Sequence, residues 1–312
     1  MLKVLKKVLI AILIIVLLLA IGFSIFMGRE VFKGVTNIMP LEETIKNAKT
    51  YQKYFDAFAE DKVVEELSIP SSKYDHQIPA LLVRKPGNKN IAVLVHGLGG
   101  TKTSMPHIMR LFLDLGYDVI AIDQRNSGEN KALYNTFGVL ESFDVLDAVK
   151  TAKTKIDDTG KLVLWGESYG GATAAIAAGR DDSDIDYLIL ESPISDSNEM
   201  LDPKLKEIEK SQGIPFSYMK WTGNFYTNFK LHFKYSDINA CKWIKDVSIP
   251  ILITNSNIDK VTPPHMGEDL YNAVSHNRKK LFTAKGFEHT EFPKKEEDKY
   301  KNLINEFLEE YK

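Results

Sequence analysis

Three residues of this chain have the types and spacing of a nucleophilic relay: Ser168, Asp259 and His289. A serine hydroxyl is a poor nucleophile at neutral pH. It needs a base to take its proton, and the base needs an acid to orient it. Ser168 stands in Gly166-Glu167-Ser168-Tyr169-Gly170, a G-x-S-x-G pentapeptide between an apolar run (Leu162–Trp165) and a small-residue helical run (Ala172–Ala178). That context is strand, sharp turn, helix. It strains the serine backbone and lifts the hydroxyl clear of the sheet. Asp259 follows the apolar run 250–254, just ahead of Pro263 and Pro264, and His289 follows the run 280–284 in Gly286-Phe287-Glu288-His289. Each thus lies past the C-terminal end of its own strand, the edge of an open parallel sheet where ligands bind.

Acyl transfer builds negative charge on the substrate oxygen, which calls for two preorganised N–H donors. The amide of Tyr169, next after the serine, is one candidate. Leu98 supplies the other, in the loop His96-Gly97-Leu98-Gly99-Gly100 after the run Ile91–Val95. The glycines ahead of Lys102 are spaced wrongly for a phosphate-binding loop, so nucleotide binding is not expected.

The elements that would carry these residues alternate. Strands are expected at 63–69 and 78–84 as an antiparallel hairpin, then at 91–95, 118–122, 161–165, 186–191, 249–254 and 280–285. Helices between them imply parallel strands with right-handed crossovers. A helix is expected over Met266–Val274, and a last one from about Lys294 to Tyr311. The nearly sixty residues between strands 186–191 and 249–254 exceed a simple crossover and are read as a cap at about 196–245. Tyr218, Trp221, Phe225 and Phe229 fall on one face of a helix there. Trp221 and Phe225 are the candidate substrate-binding residues, as part of an apolar lid.

Four segments together resemble the α/β-hydrolase superfamily: His96-Gly97-Leu98-Gly99, Asp123-Gln124-Arg125-Asn126-Ser127-Gly128, the Ser168 pentapeptide, and Asp259 through Pro263 with the later Gly286-x-x-His289. The resemblance spans roughly residues 63 to 311. The pattern is also similar to bacterial single-domain relatives of the prolyl-oligopeptidase clan, some with an N-terminal membrane segment. It implies a mostly parallel sheet with helices on both faces and a cap between strands 6 and 7. It also implies the chain order Ser168, Asp259, His289, and a structural role for Arg125 in tying loops together. The acid loop here reads Asn255-Ser256-Asn257-Ile258-Asp259, where relatives often have Gly-x-x-Asp.

Val8 to Met27 is an uncharged apolar run of twenty residues. At 1.5 Å per residue it spans about 30 Å, the thickness of a bilayer's hydrocarbon core. Lys3, Lys6 and Lys7 precede it, and Arg29 and Lys33 follow with Glu30 between. The denser positive flank is N-terminal, which places the catalytic domain outside the cell. An uncleaved, single-pass signal anchor is favoured over a cleaved signal peptide, whose apolar region is shorter. The domain plan is therefore an anchor at 1–30, an amphipathic helical linker at 31–62 with Leu41, Ile45, Ala48, Phe55 and Phe58 at near-helical spacing, and a catalytic domain at 63–312.

The net charge of −2 carries no basic signature for nucleic acid, and the one cysteine, Cys241, excludes an intrachain disulfide. No metal or other cofactor is expected. His76, His107, His232, His265 and His276 lack the loop context of His289. His96 is expected to be a structural hydrogen-bonder, and Glu167 to point away from the nucleophile. These features predict a membrane-held serine hydrolase acting on carboxylic esters through an acyl-enzyme. The alternatives are a peptidase for short peptides, which would need an acidic pair such as Glu191 and Glu199 to grip an amino terminus, and a non-catalytic binding protein on the same fold.

Overall fold

The computed structural model describes every residue from Met1 to Lys312 except Asp158. Two helices, α1 (Leu2–Thr36) and α2 (Leu41–Ala59), precede an antiparallel pair, β1 (Val63–Pro70) and β2 (Gln77–Arg84). Strand and helix then alternate: β3 (Asn90–Val95), α3 (Pro106–Asp114), β4 (Tyr117–Ile122), α4 (Glu141–Lys153), β5 (Leu162–Glu167), α5 (Tyr169–Arg180) and β6 (Tyr187–Glu191). Two longer helices come next, α6 (Asn198–Gln212) and α7 (Phe216–Leu231), followed by the short α8 (Cys241–Ile244). The chain closes with β7 (Ile251–Ser256), α9 (Pro264–Ala273), β8 (Lys279–Ala284), α10 (Phe292–Lys295) and α11 (Glu297–Glu310).

The eight strands form one sheet in the order β1-β2-β4-β3-β5-β6-β7-β8, with β2 antiparallel to β1 and β4 and every other pair parallel. The central strands are buried on both faces, as their unbroken apolar runs require once helices cover the sheet on two sides. Trp165 is fully buried in β5, and its indole N–H donates to the Tyr300 hydroxyl of α11 at 3.0 Å, so the largest core side chain leaves no polar atom unpaired.

The chain divides into two compact units. The larger comprises Met39–Ser197 and Asp237–Lys312 and contains the whole sheet; the smaller comprises Met1–Ile38 and Asn198–Ser236 and contains α1, α6 and α7. Two expected boundaries move. The first helix does not stop near residue 30 but runs unbroken to Thr36, with no proline in it and Asn37 as its C-cap. The helix α2 packs on the larger unit through its apolar face. Phe55 and Phe58 enter the core of the larger unit beside Phe112 and Leu308. Ile45, expected on its buried face, is exposed. The inserted cap is also shorter than 196–245. Residues 237–245 belong to the larger unit, where the Ala240 amide donates to Ser195 O at 2.7 Å and the Arg180 guanidinium lies 4.3 Å from the Trp243 ring centre.

The approach of α5 to β3 sets the tightest constraint in this unit. A Cβ at Gly170 would lie 2.2 Å from Val95 O and 2.5 Å from His96 O, both backbone atoms that cannot move aside. Gly170→Ala should therefore destabilise the fold by more than about 3 kcal/mol, or prevent soluble expression, when measured by urea unfolding.

Candidate active site

Ser168 occupies the single residue between β5 and α5, with φ 54° and ψ −118°. A non-glycine residue in this region is strained by about 1–3 kcal/mol and persists only where its surroundings impose it. Here the Ser168 amide donates to Glu191 O at the end of β6 (2.8 Å), and Ser168 O accepts the Ala172 amide of α5 (3.2 Å). The turn is clamped from both sides, and the hydroxyl is presented at the C-terminal edge of the sheet.

The three predicted side chains come together there. His289 Nε2 lies 2.8 Å from Ser168 Oγ, and His289 Nδ1 lies 2.8 Å from Asp259 Oδ2. An ionised carboxylate can only accept, so Nδ1 carries the proton and Nε2 is left to accept from the serine. Asp259 is buried and receives three further donors. The amides of Val261 (2.8 Å) and Thr262 (2.9 Å) reach Oδ1, and the Thr262 hydroxyl reaches Oδ2 (2.9 Å). Burial alone would push the Asp259 carboxyl up; the His289 and Thr262 hydrogen bonds outweigh it and hold the group below its ordinary 3.8. The loops carrying acid and base are tied to one another. Ser256 Oγ donates to Phe287 O, the Asn257 amide to Ala284 O (3.0 Å), and the Gly286 amide to Asn257 Oδ1 (2.8 Å).

The loop after β3 passes beside the serine: the position of a Cβ on Gly97 is 3.5 Å from Ser168 Cβ. Among the described residues the amides of Leu98 and Tyr169 donate to no protein acceptor, so both remain available to a ligand oxygen. The Tyr169 side chain is buried; its hydroxyl accepts from the Phe137 amide (2.8 Å) and donates to Glu141 (2.9 Å), fixing the start of α5. His96 holds the loop in place. Its Nε2 accepts the Gln124 amide (3.1 Å) and its Nδ1 donates to Gly97 O (2.7 Å). Burial pushes this imidazole down to about 4, so it stays neutral, a structural role as expected. Arg125 ties loops as the resemblance implies: its Nη2 donates to Leu133 O (3.4 Å), its Nη1 lies 3.8 Å from Asp144 Oδ2, and its guanidinium is 4.9 Å from the Tyr74 ring centre.

A cavity of about 740 Å³ opens beside Ser168 and His289. Its lining includes Asn47, Tyr51 and Tyr54 of α2, together with Glu167, His107 and Lys294. None of these six was expected at the site. Three stand at i, i+4 and i+7 along α2, a polar and aromatic stripe that a search for apolar periodicity passes over. Glu167 does not point away: its Oε1 is 3.5 Å from the Gly97 amide, on the cavity wall. Burial, with Lys294 and Arg110 adding to it, pushes His107 down to about 3, so this ring is a neutral part of the wall. Trp221 and Phe225, the expected substrate contacts, belong to the smaller unit, whereas every lining residue of the Ser168 cavity comes from the larger. Of the acidic pair considered for gripping a peptide, Glu191 is buried under Thr254 and Ser192, and burial pushes it up to about 7, while Glu199 lies in the smaller unit.

The family described as alpha/beta hydrolase fold matches residues 92–234. A structure of the Pyrococcus furiosus esterase Pf2001 superposes with a TM-score of 0.63, covering 85% of this chain and 95% of that one at 17% identity. The chain has the α/β-hydrolase fold. Among relatives in sequence, the uncharacterized protein YqkD of Bacillus subtilis is 26% identical over 242 residues, 77% of this chain and 78% of its own length. Lysophosphatidylserine lipase ABHD12 of Rattus norvegicus is 27% identical over 202 residues, 61% of this chain. The match spans 47%, about half, of that lipase.

The depressed Asp259 has a consequence for stability. Its folded value lies below its unfolded one, so its contribution is complete above about pH 4 to 5 and is lost as the pH falls through the folded value. Asp259→Asn should therefore lower the unfolding free energy by about 1–3 kcal/mol at pH 7. The gap between wild type and variant should close in acid, as read from denaturant titrations at a series of pH values.

Proposed function

We propose that this chain is a serine hydrolase that cleaves carboxylic ester bonds through an acyl-enzyme. The observation that carries the reading is the unbroken relay from Ser168 Oγ through His289 to Asp259, with 2.8 Å at each step. Ser168 Oγ attacks the ester carbonyl carbon as His289 Nε2 takes its proton. Negative charge gathers on the former carbonyl oxygen, which accepts from the amides of Leu98 and Tyr169. His289 then gives the proton to the departing alkoxide, and the alcohol leaves. Water, deprotonated by the same imidazole, attacks the acyl-serine; the acid departs and Ser168 recovers its hydrogen. Asp259 holds Nδ1–H throughout and stabilises the imidazolium. Arrangements of this kind lose most of their rate enhancement when any member is removed.

Esters are preferred over peptides because Glu191, one half of the acidic pair a peptidase would need, is buried against Thr254 and Ser192 and does not line the cavity. The lipase and esterase names among the relatives agree with this preference. We further propose that α1, long and apolar enough to cross a membrane, anchors the chain with the larger unit on the outer side.

Ser168→Ala should abolish labelling by a fluorophosphonate probe and lower hydrolysis of p-nitrophenyl acyl esters by about 10⁴- to 10⁶-fold, while leaving the unfolding midpoint nearly unchanged. His289→Ala should lower turnover to a similar degree. Persistent labelling of the Ser168→Ala protein would sink the assignment, and faster turnover of aminoacyl-anilides than of esters would favour the peptidase reading. For topology, protease added to intact cells should digest the larger unit, and an untouched chain would reverse the orientation.

A further inference from the structure

The smaller unit carries a surface that the proposed chemistry does not use. Trp221, Phe225 and Phe229 form a stripe along α7 and are 62%, 63% and 68% exposed. Trp221 and Phe225 stack with ring centres 6.2 Å apart. The stripe adjoins α1: an apolar cavity of about 500 Å³ is lined by the three aromatics and by Ala20, Ile21 and Ile25.

The two helices run in the same sense and in close contact. Phe23 stacks on Tyr218, Phe32 packs on Tyr226 at 5.4 Å, and a Cβ at Gly28 would lie 2.6 Å from Thr222 O. Ser24 Oγ lies 2.8 Å from the Tyr218 hydroxyl and also donates to Ala20 O at 2.8 Å. Ser24 is inside the apolar run Val8–Met27. If that run crosses a bilayer, Tyr218 is at membrane depth too, because two oxygens in hydrogen-bonding contact share one environment. The mutual pairing of these hydroxyls is what a hydrocarbon surrounding demands of polar groups. A neighbouring stripe of tryptophan and phenylalanine suits the boundary between acyl chains and headgroups, where indole rings concentrate. Lys230, in the last turn of the same helix, adds a basic group suited to headgroup phosphates, while Lys220 is paired with Asp202 at 2.7 Å.

We infer that α7 is a second membrane contact. Its Trp221-Phe225-Phe229 face lies in the outer acyl and headgroup layer of the bilayer beside α1, and lipid acyl chains fill the cavity between the two helices. The inference rests on the membrane-spanning role proposed for α1.

The test uses the full chain in phosphatidylcholine vesicles with and without bromine on the acyl chains. The protein has three tryptophans, and Trp165 is buried in the sheet. The difference between wild type and Trp221→Phe isolates the Trp221 emission. Brominated lipid should reduce that difference by about twofold or more, while aqueous iodide should scarcely change it. Phe229→Trp in the Trp221→Phe background gives a second reporter, expected to behave alike, should the first variant be perturbed. Ile14→Trp in the same background reports on α1 by itself. Quenching at Ile14→Trp with none at residues 221 and 229 overturns the inference and spares the anchor. Lack of lipid quenching at all three positions overturns both. Shielding of residues 221 and 229 from lipid and iodide alike means that a protein surface covers the stripe, and also overturns it.

Discussion

One strained residue governs the arrangement. With φ near 54°, Ser168 turns the chain from strand to helix in a single step, and that step aims its hydroxyl out of the sheet rather than into it. The cost falls on the neighbours. The end of β6 must accept the serine amide, and α5 must press against the backbone of β3, which leaves no space for a side chain at Gly170. A looser turn would relax the backbone and lose the aim, so packing around the turn and the placement of the hydroxyl at its tip are one requirement.

The partners of the serine are placed by a different logic. Asp259 and His289 each lie in a loop beyond a parallel strand, and parallel strands deliver their C-terminal ends to one edge. What remains is to fix two loops against each other, and the short bonds joining Ser256, Asn257 and Gly286 to the opposite loop do so. Asp259 is further immobilised by Thr262, whose amide and hydroxyl grip both carboxylate oxygens. The acid thus keeps its charge despite burial, and its charge keeps the imidazole in one tautomer.

The sequence makes the sheet and the relay legible because both are written in strong local signals. Runs such as Ile91–Val95 and Ile251–Ile253 are too apolar for anything but buried strands, and the pentapeptide around Ser168 has glycines where strand and helix meet. What it hides are surfaces made by packing. The periodicity of α2 shows Phe55 and Phe58 turning inward but does not say that Asn47, Tyr51 and Tyr54 would wall a cavity. Those three are polar or amphipathic and read as solvent-facing. The α7 stripe poses the reverse difficulty. Its helical spacing is plain, yet spacing does not reveal what covers an aromatic face. Glu167 escapes for a third reason: the direction of a side chain at the end of a strand depends on a loop seventy residues away.

The position of α2 bears on how the protein can be shortened. Sequence patterning alone suggests cutting before the first strand, near residue 63, to obtain a water-soluble form. Such a cut would strip Phe55 and Phe58 from the core and open one side of the chamber next to Ser168. Trimming that ends at about Met39, where the larger unit begins, removes the greasy leader and keeps the chamber whole.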